Sequence, residues 1–324
     1  MRLRRKEIAM ADSGIYARVK SDFDQKRSAA AAARRARIDK VRKDYPEIAR
    51  IDSESARLGI ENIMAIAKEP KRADEFNRAL KDKFRVLEAR KKEIIRRSDI
   101  QKNYEEVLYS CSKCSDTGYD GNGHRCYCFI QAIADAGFPK DMSILKRECF
   151  DNFNLEFYPP EKRAGMERIL GRAKRLCKNF DRETKGLLFI GAPGLGKTFL
   201  SNCIEGELRS LCKTVLSVRA VKLFRLMEDI KFGREDDGEK ERSVYDTDLL
   251  IIDDLGTEGD SQLNSSFFDS ILNERINLGK KTLISTNYSM EELHKRYSSR
   301  FISRLTEYFI ICRFSGNDIR MIKL

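Results

Sequence analysis

The spacing of apolar residues changes character partway along the chain. Between Ser13 and Ile100 the sequence is rich in Ala, Arg, Lys, Glu and Leu. Gln25 to Lys43 predicts one long helix, Pro46 opens the next element, and Pro70 separates Ile60–Lys68 from a last helix over Ala73 to Arg97. Along that last helix Phe76, Leu80, Phe84, Leu87 and Ile94/Ile95 recur at steps of three and four, which makes a single apolar stripe. This third of the chain therefore predicts a helical hairpin or short coiled coil, with the stripe as packing surface. Beyond a connector with Pro139, Pro159 and Pro160 and a helix from about Glu161 to Asn179, the period shortens to continuous apolar runs. These runs are Leu187–Ile190, Thr214–Val218, Leu249–Ile252, Thr282–Ser285 and Phe309–Phe314, each separated by helix-compatible sequence. Strand–helix alternation with apolar strands predicts an α/β fold whose parallel sheet is covered on both faces. The charged, Gly-containing stretch Lys231–Asp246 predicts an exposed loop.

Charge divides the chain at a similar place. Residues 1–100 carry 28 Lys/Arg against 17 Asp/Glu, whereas residues 101–324 carry 35 against 34. A basic module joined to a nearly neutral one suits nucleic acid or an acidic protein partner, or a solvated helical face. With the cysteine spacing below, the expected organisation is 1–105 basic helical segment, 106–136 metal module, 137–180 connector and 181–324 nucleotide-binding domain. No run of about 18 apolar residues occurs, so no membrane partner is expected. The basic N-terminus lacks the apolar core of a secretory signal, so nine cysteines point to a reducing cytoplasm and to metal rather than disulfides.

Four of those cysteines, Cys111, Cys114, Cys126 and Cys128, form C-x2-C-x11-C-x-C around Gly118, Gly121 and Gly123. Paired thiols across a tight reversal suit tetrahedral Zn2+ with no open position, hence a structural role. His124 is a possible substitute ligand.

The most specific signal is Gly191-Ala192-Pro193-Gly194-Leu195-Gly196-Lys197-Thr198, which matches the phosphate-binding pattern G-x-x-x-x-G-K-[ST] without a gap. The apolar run Gly186–Ile190 enters it and helical sequence from Phe199 leaves it, the context the motif requires. Backbone N–H groups and the helix's positive end would hold phosphate, Lys197 would reach the β- and γ-phosphates, and the Thr198 hydroxyl would ligate Mg2+. Leu249–Ile252 ends in Asp253 and Asp254. Asp253 is placed to hold Mg2+ and Asp254 to orient the attacking water, with Glu258 a weaker candidate for the same task. Asn287, closing Thr282–Thr286, is placed to bond the γ-phosphate or that water. Arg300 and Arg304 lie four apart on one helical face and suit a neighbouring subunit's γ-phosphate, with salt bridges to Glu307 or Glu274 as the alternative. Arg320 is a candidate nucleotide contact within its own subunit. With His124 and His294 as its only histidines, the chain is poorly equipped for His-based catalysis.

Together the motifs GAPGLGKT, LLIIDDLG, ISTN and SRFISRL resemble those of AAA+ ATPases, more narrowly the bacterial replicative-helicase loaders of the DnaC/DnaI type, over roughly residues 150–324. The resemblance implies an AAA+ P-loop core preceded by an all-α basic segment and a small zinc-binding module. It also implies nucleotide-contact roles for the loop and Phe199, metal and water roles for Asp253 and Asp254, and a γ-phosphate sensor at Asn287. A trans-acting arginine at Arg304 with Arg300 nearby and a second sensor at Arg320 follow from it, with an aromatic ring from Phe150 or Phe153 beside adenine. As partners it implies a hexameric replicative helicase, single-stranded DNA and further copies of the chain on the helicase; as cofactors, ATP, Mg2+ and structural Zn2+. An IstB-type transposition helper or an ATP-switched DNA-binding adaptor are the alternatives, with ATPase activity weak without a partner.

Overall fold

The computed structural model describes residues 14–233, 238–257 and 262–321. The described residues separate into two compact units, one of Phe23–Thr117 and the other of 14–22 with those from Gly118 onward.

The described part of the basic N-terminal region is mostly helical: α1 (Ile15–Asp44), α2 (Pro46–Lys68) and α3 (Ala73–Arg97). Pro46 sits at the first position of α2, where its missing N–H costs nothing. The predicted stripe on α3 is only half-buried and no α3 residue is fully buried. Ile94 and Ile95 join Ile38, Val41 and Tyr45 around buried Ile48, Ile100 and Tyr104. Ion pairs supplement this small core, with Lys91 bonding both Asp52 (2.6 Å) and Glu105 (2.7 Å) and Arg42 reaching Asp52 (2.9 Å).

After the cysteine segment come α4 (Tyr127–Gly137), a short α5 (Ile144–Arg147) and α6 (Pro160–Lys178). The sheet unit follows as β1 (Gly186–Ile190), α7 (Lys197–Ser210), β2 (Val215–Arg219), α8 (Ala220–Lys231), α9 (Gly238–Asp246) and β3 (Leu249–Leu255). It closes with α10 (Gln262–Asn277), β4 (Lys281–Thr286), α11 (Met290–Arg296), α12 (Ser299–Tyr308) and β5 (Phe309–Arg313). All strands are parallel, in the order β2-β3-β4-β1-β5. Side chains alternate between faces as a pleated strand requires. Leu188, Ile190, Leu216, Leu250, Ile252 and Ile284 pack with Leu223 of α8, Phe268 of α10 and Phe301 of α12. Leu187, Phe189, Val215, Leu249, Ile251 and Leu283 pack with Met166 of α6 and Leu200 and Ile204 of α7. The three-layer α/β core expected from strand–helix alternation is therefore present, with strand boundaries shifted by at most three residues. Among the described residues no helix is long and apolar enough to cross a membrane.

Strand β2 lies at the sheet edge, and α4 covers it. The Gln131 side-chain amide donates to the Val215 carbonyl (2.9 Å) and accepts from the Val215 N–H (2.7 Å), so it pairs with the edge as a strand would.

One expectation fails. Within Lys231–Asp246, read from sequence as an exposed loop, Gly238–Asp246 form α9, with Glu239, Ser243 and Val244 buried. Two distant arginines account for this. Arg125 makes a bidentate pair with the Glu239 carboxylate (2.5 and 2.6 Å). Arg275, fully buried on α10, donates to the carbonyls of Val244 (2.7 Å), Tyr245 (3.3 Å) and Thr247 (3.1 Å) at the end of α9. Local charge density predicted solvent; long-range pairing folds the segment instead.

Candidate functional site

Strand β1 delivers the chain into the phosphate loop, and α7 leaves it. Gly196 is the N-cap of α7 in the left-handed conformation (φ +83°), and no side chain caps the helix. The first-turn N–H groups of α7 thus face the loop's concavity, an arrangement suited to an anion. Gly194 (φ +78°) is constrained twice, because a Cβ there would stand 2.0 Å from Asp318 Oδ1. Lys197 is buried, and its ammonium donates to the carbonyls of Gly191 (2.6 Å) and Ala192 (2.8 Å) and to Asn287 Oδ1 (2.8 Å). Burial lowers its pKa, while Asp254 and Asp253 pull it back up.

The Thr198 hydroxyl lies 3.1 Å from Asp253 Oδ2 and 3.3 Å from Oδ1. Hydroxyl and carboxylate oxygens side by side beneath a phosphate loop fit a hard divalent cation such as Mg2+. Asp254 follows at the tip of β3; burial, then the neighbouring Asp253, raise its pKa above the usual carboxylate value.

Beside them lies a cavity of about 450 Å3, lined by Pro193, Gly194, Gly196, Lys197, Thr198 and Phe199 from the loop side and by Asp254 and Asn287 from the strand tips. The opposite wall is aromatic. Phe153 stacks on Tyr158 (ring centroids 6.1 Å apart) and meets Phe199 edge-on (5.8 Å). Tyr158 is buried and donates to the Leu195 carbonyl (2.9 Å), tying this wall to the phosphate loop. Both candidate rings pack against the adjoining core, and of the two it is Phe153 that lines the cavity. Arg320 lines the cavity from the chain's last described turn, its guanidinium bonded to both oxygens of Asp318 (2.9 and 2.7 Å).

Tyr158, Phe157, Asp318 and Ser285 are contributors that sequence reasoning missed. The first two were signalled by four aromatics between Phe150 and Tyr158. Ser285, within the polar strand end already noted, donates to Asp253 Oδ1 (2.5 Å).

Arg300 and Arg304 stand on α12, away from the residues lining this cavity. Arg304 pairs with Asp269 (3.3 Å), not with Glu307 or Glu274, and Arg300 is exposed. Glu258 lies outside the described residues. The sulfurs of Cys111, Cys114, Cys126 and Cys128 lie within 4.8 Å of one another, three of the cysteines being buried. Four converging thiols fit tetrahedral Zn2+, whose Zn–S distance of about 2.3 Å is compatible with that span. His124 is exposed beside Asp120 (3.4 Å) and is not in the cluster.

A family model described as IstB-like ATP binding protein matches residues 146–307. The replicative helicase loader DnaC of Escherichia coli (strain K12) is 27% identical over 164 residues, which are 50% of this chain and 64% of that protein. Its counterpart in Buchnera aphidicola subsp. Schizaphis graminum (strain Sg) is 26% identical over 161 residues, 49% of this chain and 65% of that protein. The chain thus spans just under two thirds of the length of these curated relatives. Among solved structures, a crystal structure of DnaI aligns at TM-score 0.48 with 23% identity, covering 55% of this chain and 95% of that one. A crystal structure of the DnaC helicase loader aligns at TM-score 0.44 with 28% identity, covering 51% and 98%.

Proposed function

The chain belongs to the IstB-like ATP binding protein family, and on that premise we propose that it is an ATPase that loads a hexameric replicative helicase onto single-stranded DNA at initiation of replication. The observation that carries the ATPase reading is the convergence of Lys197, Thr198, Asp254 and Asn287 on one aromatic-walled cavity, with Asp253 against Thr198. The helicase reading rests on the DnaC relatives together with the basic helical region.

In this reading the triphosphate lies along the phosphate loop with its base against Phe153 and Tyr158. Lys197 and the first-turn amides of α7 hold the β- and γ-phosphates, and Asn287 keeps the Lys197 ammonium on the γ side. Thr198 and Asp253 would hold Mg2+, which when bound neutralises phosphate charge as the bond to the leaving group lengthens. Asp254 orients the attacking water, Arg320 contacts the nucleotide within its subunit, and the Arg304–Arg300 face meets the γ-phosphate of a neighbouring copy. A site completed across subunits turns over slowly alone and faster once copies assemble on the helicase. The protein acts in the cytoplasm, and its Lys/Arg contacts to DNA phosphates weaken steeply with salt.

The test is co-purification of the full chain with the replicative helicase of its host, with ATP, followed by mass measurement of the complex. A complex containing both proteins is expected; two separate species under every nucleotide condition would overturn the loader reading. The family match favours a second reading, an IstB-type transposition helper. Capture of a transposase in place of the helicase would establish it, whereas nucleotide binding without turnover in any complex would indicate an ATP-switched adaptor.

We further assign structural Zn2+ to Cys111, Cys114, Cys126 and Cys128. Native mass spectrometry of protein purified without chelator is expected to show one zinc per chain, lost in Cys126→Ser. Protein that is fully folded and metal-free as purified would sink this assignment.

A further inference from the structure

Consecutive residues on a regular strand point to opposite faces, yet Asp253 meets the Thr198 hydroxyl while Asp254 lines the cavity that Thr198 and Lys197 share. An irregularity between β3 and β4 allows it. Ile252 pairs with Ile284 and the next pair is Leu255 with Thr286, so three steps along β3 match two along β4. Asp253 and Asp254 occupy this bulge, and Asp254 has φ +57°, a left-handed conformation uncommon outside glycine. A bulge of this kind persists where neighbouring groups over-determine it.

Ser285 is the group best placed to do so. Its hydroxyl is buried, accepts the Asp254 backbone N–H (3.0 Å) and donates to Asp253 Oδ1 (2.5 Å). One oxygen atom therefore fixes the backbone of one acid and the side chain of the other. The two hydroxyls that follow on the same strand end continue the pattern: Thr286 Oγ1 donates to the Leu255 carbonyl (2.8 Å) and the Tyr288 hydroxyl to the Gly256 carbonyl (3.2 Å). Asn287, between them, accepts from Lys197.

We propose that Ser285 is a positioning residue of the phosphoryl-transfer site, setting the Asp253 carboxylate toward Thr198 and holding the bulge that presents Asp254. The proposal rests on the ATPase reading. With Oδ1 engaged by Ser285, Oδ2 is the oxygen nearest the Thr198 hydroxyl and the one turned to the cation side. Loss of the hydroxyl releases the Asp253 rotamer and leaves the Asp254 N–H without its acceptor. The Lys197 contacts, which do not involve Ser285, are retained.

The experiment compares full-length Ser285→Ala and Ser285→Thr with wild type in two measurements. In EDTA, affinity for a fluorescent ADP is expected to stay within about twofold for both variants, because the phosphate loop is intact. The Mg2+ concentration at which fluorescent ATP binding reaches half its metal-dependent gain is expected to rise about tenfold in Ser285→Ala, with kcat falling similarly and KM little changed, while Ser285→Thr restores both. A Ser285→Ala protein with a wild-type Mg2+ midpoint overturns the proposal. So does one whose metal-free affinity falls in parallel, since that signals collapse of the whole site. If wild type binds nucleotide but never turns it over, the ATPase reading fails, and the Mg2+ midpoint still decides the role of Ser285. Should Ser285→Ala not fold, Ser285→Cys, of similar volume and weak as a donor, carries the same comparison.

Discussion

Lys197→Met is expected to lower affinity for ATP by about two orders of magnitude, the equivalent of one or two charge-assisted hydrogen bonds at about 1.5–3 kcal/mol each. Turnover should fall further, by about three orders of magnitude or more, because the ammonium also meets charge that develops on the transferred phosphoryl group. Folding should not suffer. Burial lowers the Lys197 pKa, which means the protein bears a desolvation cost for keeping the ammonium there. Methionine removes that cost and fills the same channel. The two carbonyls it releases belong to half-buried Gly191 and exposed Ala192, where water can replace the lost donor. Calorimetric titration with ATP and a melting curve on the same sample separate the two effects. Affinity within about threefold of wild type would remove Lys197 from the site. A large fall in melting temperature would mean that the lysine holds the fold instead.

How far the sequence reached depends on how far apart the interacting residues lie. The phosphate loop was legible because Gly191 to Thr198 is contiguous, and an apolar strand before it and a helix after it leave little freedom. The helix Ala73–Arg97 was legible to the residue, since Pro70 and a three-and-four spacing mark it locally. The four cysteines were legible from their spacing. What escaped depends on partners distant in the chain. Helix α9 looks like solvated loop until Arg125 and Arg275 are brought to it from about a hundred residues before and thirty residues after. Ser285 lies in a strand end already suspected, but its role arises from a register shift that no single strand encodes. Asp269, the partner of Arg304, lies on α10 together with Glu274 but five residues before it, and not on α12 with Glu307, so neither acid that the sequence offered is the one the fold brings to the arginine.

Arg275→Met is the substitution with the largest expected cost to stability. The guanidinium is fully buried and its donors reach oxygens on two segments: Val244 and Thr247 at the end of α9, and the Lys281 carbonyl (2.5 Å) and Thr282 hydroxyl (3.1 Å) on β4. Burial pulls its pKa down, to about 9, against the upward pull of Asp248 and Asp246, and it stays protonated at neutral pH. Two effects of opposite sign follow from removing it. Methionine relieves the desolvation of a buried cation, which favours the variant. It also strands at least three buried carbonyls with no donor and no route to water, at about 1–3 kcal/mol each. The second effect is larger because the acceptors are backbone and cannot be removed with the arginine. A net loss of about 3–5 kcal/mol is expected, which for a unit of this size lowers the melting temperature by about 10 °C. Arg275→Lys keeps the charge but offers three donors in a different geometry, so it should recover only part of the loss. Thermal melts followed by circular dichroism, with nucleotide binding as a second probe, give the answer. A methionine variant as stable as wild type would mean that α9 is held by the Arg125–Glu239 pair alone, and that the carbonyls around Arg275 find water when it leaves.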